Sequence, residues 1–144
     1  MPSVSSSSYN ISLLTQYTVT GGTGGLGFEA CHTLLEHGLS GLCIFDLASA
    51  FQTQQGPVQQ LREEFPSAKI VEEIVDVSDE KNVHQGVQNA VAHLGSVNIL
   101  LCFAGIGRVS GRVSHSVETS LEEWQKIIAI NSTGSWLCAQ AVGR

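Results

Sequence analysis

Basic residues are scarce in this 144-residue chain: Lys+Arg number 7 against 13 Asp+Glu, a formal net charge of -6. That balance offers no cationic field to draw in a nucleic-acid backbone or an anionic bilayer, so neither is an expected partner. The placement of the few cations excludes more. No Lys or Arg stands before Arg62, so neither the positive head of a secretory signal nor an Arg-rich presequence can be built, and a cytoplasmic protein is expected. Long apolar runs are also missing. The longest unbroken apolar-plus-glycine run is Ile99 to Gly107, against the roughly 18 residues a membrane span needs.

Cysteine is sparse and unpatterned. Cys31, Cys43, Cys102 and Cys138 form no Cys-x-x-Cys or Cys/His ligand spacing, so reduced, buried thiols are expected, with neither disulfides nor a metal site. The sequons at Asn10 and Asn131 lose their meaning without a secretory route. His32, His37, His84, His93 and His115 bring no third ligand to one face, and Glu63-Glu64, Glu72-Glu73 and Glu122-Glu123 are adjacent pairs that point to different faces, as solvated surface does. Charged residues make up only 14% of the chain and hydrophobic ones 42%, which suits a single well-cored domain and not a disordered segment. Residues 1–16 read as a disordered or otherwise separate lead, its Ser-rich Met1–Tyr9 part disordered, and 17–144 as the domain.

Within 17–144, β-rich runs alternate with stretches of helical period, the pattern of βαβ units around a parallel sheet. Strands are expected at Tyr17–Thr20, Gly41–Phe45, Ile70–Val75 and Val97–Cys102. Helices are expected at Gly25–His37, closed by Gly38, at Gln54–Phe65, stopped by Pro66, and from a Ser78 cap to Gly95. A last helix starts at the Ser120/Glu123 capping box, with Trp124, Ile127, Ile128, Ser135 and Cys138 on one face.

Between the first strand and first helix lies Thr20-Gly21-Gly22-Thr23-Gly24-Gly25-Leu26-Gly27. Glycines there permit a sharp turn and let bare backbone approach a pyrophosphate at the helix N-terminus. Gly22, Gly24 and Gly27 satisfy Gly-x-Gly-x-x-Gly, which many loops do by accident, so a flexible turn is the plain alternative. Asp46, with Leu47 beside it, sits at the end of the second strand, nineteen positions after Gly27, near the spacing expected of a ribose-binding acid. The alternative for Asp46 is a solvated strand end. A 2′-phosphate would want a cation nearby, and none follows Asp46 before Arg62, so NAD is expected over NADP.

These residues resemble the short-chain dehydrogenase/reductase family, whose Thr-Gly-x-x-x-Gly-x-Gly opening is matched by Thr20, Gly21, Gly25 and Gly27. The resemblance implies a doubly wound, parallel-sheet α/β Rossmann fold, here with about four strands in order 3-2-1-4. It also implies that Asp76-Val77 hold an adenine ring and that Ala104-Gly105 back the cofactor. Asn131 matches the helix asparagine that supports a proton-relay water. Read from its position alone, Asn131 lies on the apolar stripe and needs a partner, and a core asparagine bonded to backbone is the simpler account.

The chain departs from the pattern in three places. Cys102-Phe103 replace two asparagines before Ala104-Gly105, and Gln16-Tyr17-Thr18-Val19 is polar for a central strand. The family's Tyr-x-x-x-Lys acid/base pair is absent: the only tyrosines are Tyr9 and Tyr17, followed four residues on by Leu13 and Gly21. The expectation is therefore a truncated, nicotinamide-dependent oxidoreductase, a cofactor-binding fragment inactive by itself, whose full-length relative acts on an alcohol, polyol or ketone. The alternative is a non-catalytic NAD-binding or regulatory module. Self-association is expected too, through an open edge at Val97–Cys102 and through Trp124, Trp136 and Leu137.

Overall fold

The computed structural model describes residues 15–53, 55–107 and 116–144. The Ser-rich lead, Asn10 and His115 lie outside them. Four strands, β1 (Gln16–Thr20), β2 (Gly41–Asp46), β3 (Lys69–Ile74) and β4 (Ile99–Cys102), form one parallel sheet in the order β3-β2-β1-β4. This is the expected doubly wound α/β sheet, with β4 starting two residues later than the apolar run suggested. In register, Tyr17 lies between Leu42 and Ile99, and Thr20 between Phe45 and Cys102.

Because successive strand residues point to opposite faces, the sheet builds two cores. Tyr17, Val19, Leu42 and Ile44 pack with Cys31 and Leu35 of α1 (Gly25–Glu36) and with Val58 and Leu61 of α3 (Gln55–Glu64). Cys43 and Phe45 turn the other way, onto Val83, Val87 and Ala90 of α4 (Glu80–Leu94) and onto Leu137 and Cys138 of α6 (Ser135–Val142). Each aliphatic side chain so buried contributes about 1.5–3 kcal/mol. Between β2 and α3 the chain forms one more helix, α2 (Ala48–Thr53), which six residues with no apolar stripe did not announce.

Helix ends follow local chemistry. Gly38 and Gly95 take left-handed φ values of 89° and 88°, closing α1 and α4. The N-cap of α4 is Asp79 and not Ser78: its carboxylate accepts from the amides of Lys81 and Asn82, while Ser78 donates backward to Asp76. Ser120 caps α5 (Leu121–Ile128) as expected, its hydroxyl accepting from Glu123 N at 3.1 Å.

The last helix is not one regular rod. A π-helical segment, Ala129–Gly134, joins α5 to α6 and rotates the side chains beyond it. Trp124, in α5 ahead of this segment, and Asn131 within it are exposed instead of lying on a buried stripe, and Leu137 beyond it, expected to lack cover, is buried. Cys102 is the exception among the thiols. It is exposed at the end of β4, whereas Cys31, Cys43 and Cys138 are buried.

Candidate functional site

Every strand runs the same way, so the four carboxyl ends and the loops after them gather along one edge of the sheet. The order in which successive strands are added reverses between β1 and β4, the place where open α/β sheets leave a crevice. A cleft of about 260 Å³ occupies it. Gly21, Thr23 and Gly24 form its floor, Asp46, Leu47 and Ala50 one wall, and Asp76 and Val77 follow from β3. The far side comes from Phe103–Ile106 after β4 and from Ile130 in the π segment.

The glycine loop is held from both sides. Gly21 donates to Phe45 O at 2.8 Å, and Gly24 donates to Gly21 O at 3.1 Å. Gly21 has φ +67°, and a Cβ on it would stand 2.7 Å from Ala104 N, so both the turn and the closeness of the β4 loop require glycine. A Cβ on Gly27 would run into the Gly21 carbonyl, which fixes α1 directly beneath the loop. Thr20, buried in the sheet, accepts Ala104 N on Oγ1 at 3.1 Å. It ties the β4 loop to β1 and does not face the cleft. Gly24 caps α1 without a side chain, so no side-chain cap occupies the amides of that first turn.

Asp46 reaches across to this loop. Its Oδ2 accepts from Thr23 N at 3.1 Å and from Thr23 Oγ1 at 2.7 Å, and its Oδ1 accepts from Leu47 N at 2.9 Å. Asp76 is fixed through Oδ1, which accepts from Ser78 N at 2.9 Å and from Ser78 Oγ at 2.6 Å. Its own amide donates to Asn82 Oδ1. Among the described residues, the cleft lining holds two carboxylates and no Lys, Arg or His.

The structure thus brings Gly21, Thr23, Gly24, Asp46, Leu47, Asp76, Val77, Ala104 and Gly105 into one cleft. Gly25, Leu26 and Gly27 sit in the first turn of α1 outside its lining, with Leu26 79% exposed. Asn131 lies behind the cleft wall: Nδ2 donates to Ile106 O and Oδ1 accepts from Ile106 N, both at 2.9 Å. Sequence reasoning missed Phe45, Ala50, Val75, Phe103, Ile106 and Ile130. Ala50 came with the unforeseen α2, and the others are apolar residues at or after strand ends or in the π segment, where apolar character does not separate cleft lining from core.

Burial pushes the Cys31, Cys43 and Cys138 thiols up to about 12. Cys102 is raised as well, chiefly by partial burial, with hydrogen bonds to Ser135 and Thr20 drawing it back. Among the described residues, no group of three or more His, Cys, Asp or Glu could hold a metal ion.

Comparison with known proteins agrees with this geometry. The family model for short chain dehydrogenase matches residues 16–144. A chanoclavine-I dehydrogenase of Arthroderma otae is 29% identical over 120 residues, 82% of this chain and 45% of that protein. A 3alpha-hydroxysteroid dehydrogenase of Mediterraneibacter gnavus is 30% identical over 126 residues, 88% of this chain and 48% of the relative. Among solved structures, a short-chain type dehydrogenase/reductase from Mycobacterium marinum superposes with a TM-score of 0.76 at 25% identity, covering 92% of this chain and 51% of that one. The chain belongs to the short-chain dehydrogenase/reductase family, whose members bind nicotinamide dinucleotides and are oxidoreductases. It spans about half the length of the curated relatives it matches. No helix among the described residues is long and apolar enough to cross a membrane.

Proposed function

We propose that residues 17–144 form the NAD-binding part of an oxidoreductase acting on an alcohol, polyol or ketone. The observation that carries this reading is the hydrogen-bonded junction of Asp46 with the glycine loop at Thr23. It places a carboxylate beside an uncapped helix N-terminus, one suited to ribose hydroxyls and the other to a pyrophosphate. At Gly25 an added Cβ would meet nothing within 4 Å among the described residues. Room against protein therefore does not explain that glycine, whereas close approach of a ligand phosphate does.

In this reading the amides of the Gly24–Gly27 turn hold the pyrophosphate and Asp46 with Leu47 holds the adenosine ribose. Asp76 and Val77 flank the adenine, and Ala104 and Gly105 back the remainder of the cofactor. When bound, the dinucleotide supplies hydride transfer. Asn131 contributes through the loop it fastens, keeping Gly105 and Ile106 against the cleft. We further propose that these 144 residues do not turn over substrate by themselves, because no tyrosine here has a lysine four residues on. NAD is preferred in this reading because the described lining of the cleft carries two carboxylates, Asp46 and Asp76, which would repel a 2′-phosphate.

Asp46→Arg tests the assignment by calorimetric titration. NAD affinity should fall at least about tenfold and NADP affinity should rise. An unchanged order of affinities would contradict it. Self-association belongs to the same proposal. Among the described residues β4 lies at the edge of the sheet, and Leu121, Trp124 and Trp136 are 70%, 57% and 58% exposed. Light scattering across a range of concentrations decides it, and a monodisperse monomer throughout would remove it.

A further inference from the structure

Resting on the dinucleotide reading of this cleft, we propose that Thr23 is a positioning residue that holds the Asp46 carboxylate in its ribose-binding orientation and so sets the choice between NAD and NADP. An ionised carboxylate offers about four acceptor directions. At Asp46 three are taken within the protein: Oδ2 receives both Thr23 N at 3.1 Å and Thr23 Oγ1 at 2.7 Å, and Oδ1 receives Leu47 N at 2.9 Å. What is left is a single acceptor direction on Oδ1, on a carboxylate whose rotation is locked.

Thr23 suits this task by its placement. It is only 3% exposed, so its hydroxyl sits out of bulk water and keeps its bond to Asp46 at nearly full strength. Asp46 itself is only partly buried and lines the cleft. A carboxylate in that setting would sample several rotamers if nothing pinned it. The 2.7 Å bond joins the end of β2 to the glycine loop across 23 residues of sequence, so the ribose acceptor and the phosphate-facing turn are set relative to each other before any ligand arrives. Preorganisation of this kind helps a ligand that needs the carboxylate as an acceptor. It does nothing for one whose 2′-phosphate the same carboxylate repels.

The test uses the full chain, with Thr23→Val removing the hydroxyl while keeping shape and the backbone donor. NAD and NADP affinities are measured by calorimetry for the unaltered chain, Thr23→Val, Thr23→Ala, Thr23→Ser, Asp46→Asn and the Thr23→Val/Asp46→Asn double variant. Thr23→Val and Thr23→Ala should each weaken NAD about five- to twentyfold, as expected for part of a charge-assisted hydrogen bond. NADP should stay within about threefold of its starting value. Thr23→Ser should restore NAD binding to within about threefold. On the Asp46→Asn background, Thr23→Val should add less than about twofold, because it acts through the carboxylate. A Thr23→Val chain that binds NAD as the unaltered chain does overturns the proposal, and so does an equal loss for both cofactors, which would mean that the hydroxyl shapes only the glycine turn. An unaltered chain that takes up neither dinucleotide overturns the reading of the cleft itself, an outcome separate from either of these.

Discussion

Asn131 grips Ile106 by both ends of its amide, Nδ2 donating to the carbonyl oxygen and Oδ1 accepting from the amide at 2.9 Å each. One side chain thereby satisfies both backbone groups of a residue in the loop after β4, the loop that forms a cleft wall. The π segment makes the grip possible, because it sets Asn131 off the regular helical phase, and Ser135 Oγ donates to the Asn131 carbonyl at 3.2 Å.

Replacing Asn131 by Ala leaves two loop groups to water. Stability should fall by about 1–2 kcal/mol, the net worth of two exposed hydrogen bonds, and dinucleotide affinity should fall several-fold as Gly105 and Ile106 loosen. Urea unfolding and calorimetric titration measure the two effects. A loss of stability with unchanged affinity would separate the loop from the binding site.

Thr18 sits in the middle of an interior strand, fully buried, and its hydroxyl has no hydrogen-bond partner among the described residues. Its strand neighbours in register are Cys43 and Leu100. Thr18→Val should therefore stabilise the chain by about 1 kcal/mol, since an isosteric methyl removes a desolvated group that returns nothing. Denaturant midpoints compare the two chains, and a destabilised Val variant would show that the hydroxyl is satisfied.

The buried thiols give stability a pH dependence with a defined sign. Cys31, Cys43 and Cys138 lie at about 12 when folded against an ordinary value of 9.0, so between these values the folded chain keeps protons that the unfolded chain has lost. Their contribution is fully present below about pH 9 and declines as pH rises toward 12. Unfolding midpoints should fall steadily above pH 9, and Cys31→Ala should flatten that slope. At pH 8 in the native state a thiol reagent should modify Cys102 first. Equal reaction of all four would contradict the burial.

Much of the fold was legible because periodicity and glycine punctuation act locally. The strand at Gly41–Phe45 and the ends at Gly38 and Gly95 follow from residues within one turn of them. The spacing of Asp46 from the glycine loop was legible for a similar reason, since a βα unit fixes how far the chain travels before the next strand ends. The π segment was not legible. An apolar phase of 3.6 residues through Trp124, Ile127 and Ile128 says nothing of one extra residue inserted farther on, and that insertion decides where Asn131 points. The Asp79 cap lost out to Ser78 in the sequence reading because either residue can cap. The choice fell to Asp76, which takes the Ser78 hydroxyl for its own turn. Cys102 was misjudged from its apolar neighbours, since an edge strand shows its last residue to solvent.

Calorimetric titration of the intact chain with NAD, and in parallel with NADP, tests the central claim most directly. The cleft described here predicts saturable, one-to-one uptake of NAD, at least about tenfold tighter than uptake of NADP, from a site whose described lining holds two carboxylates, Asp46 and Asp76. Absence of binding by either dinucleotide, or equal affinity for the two, would contradict it.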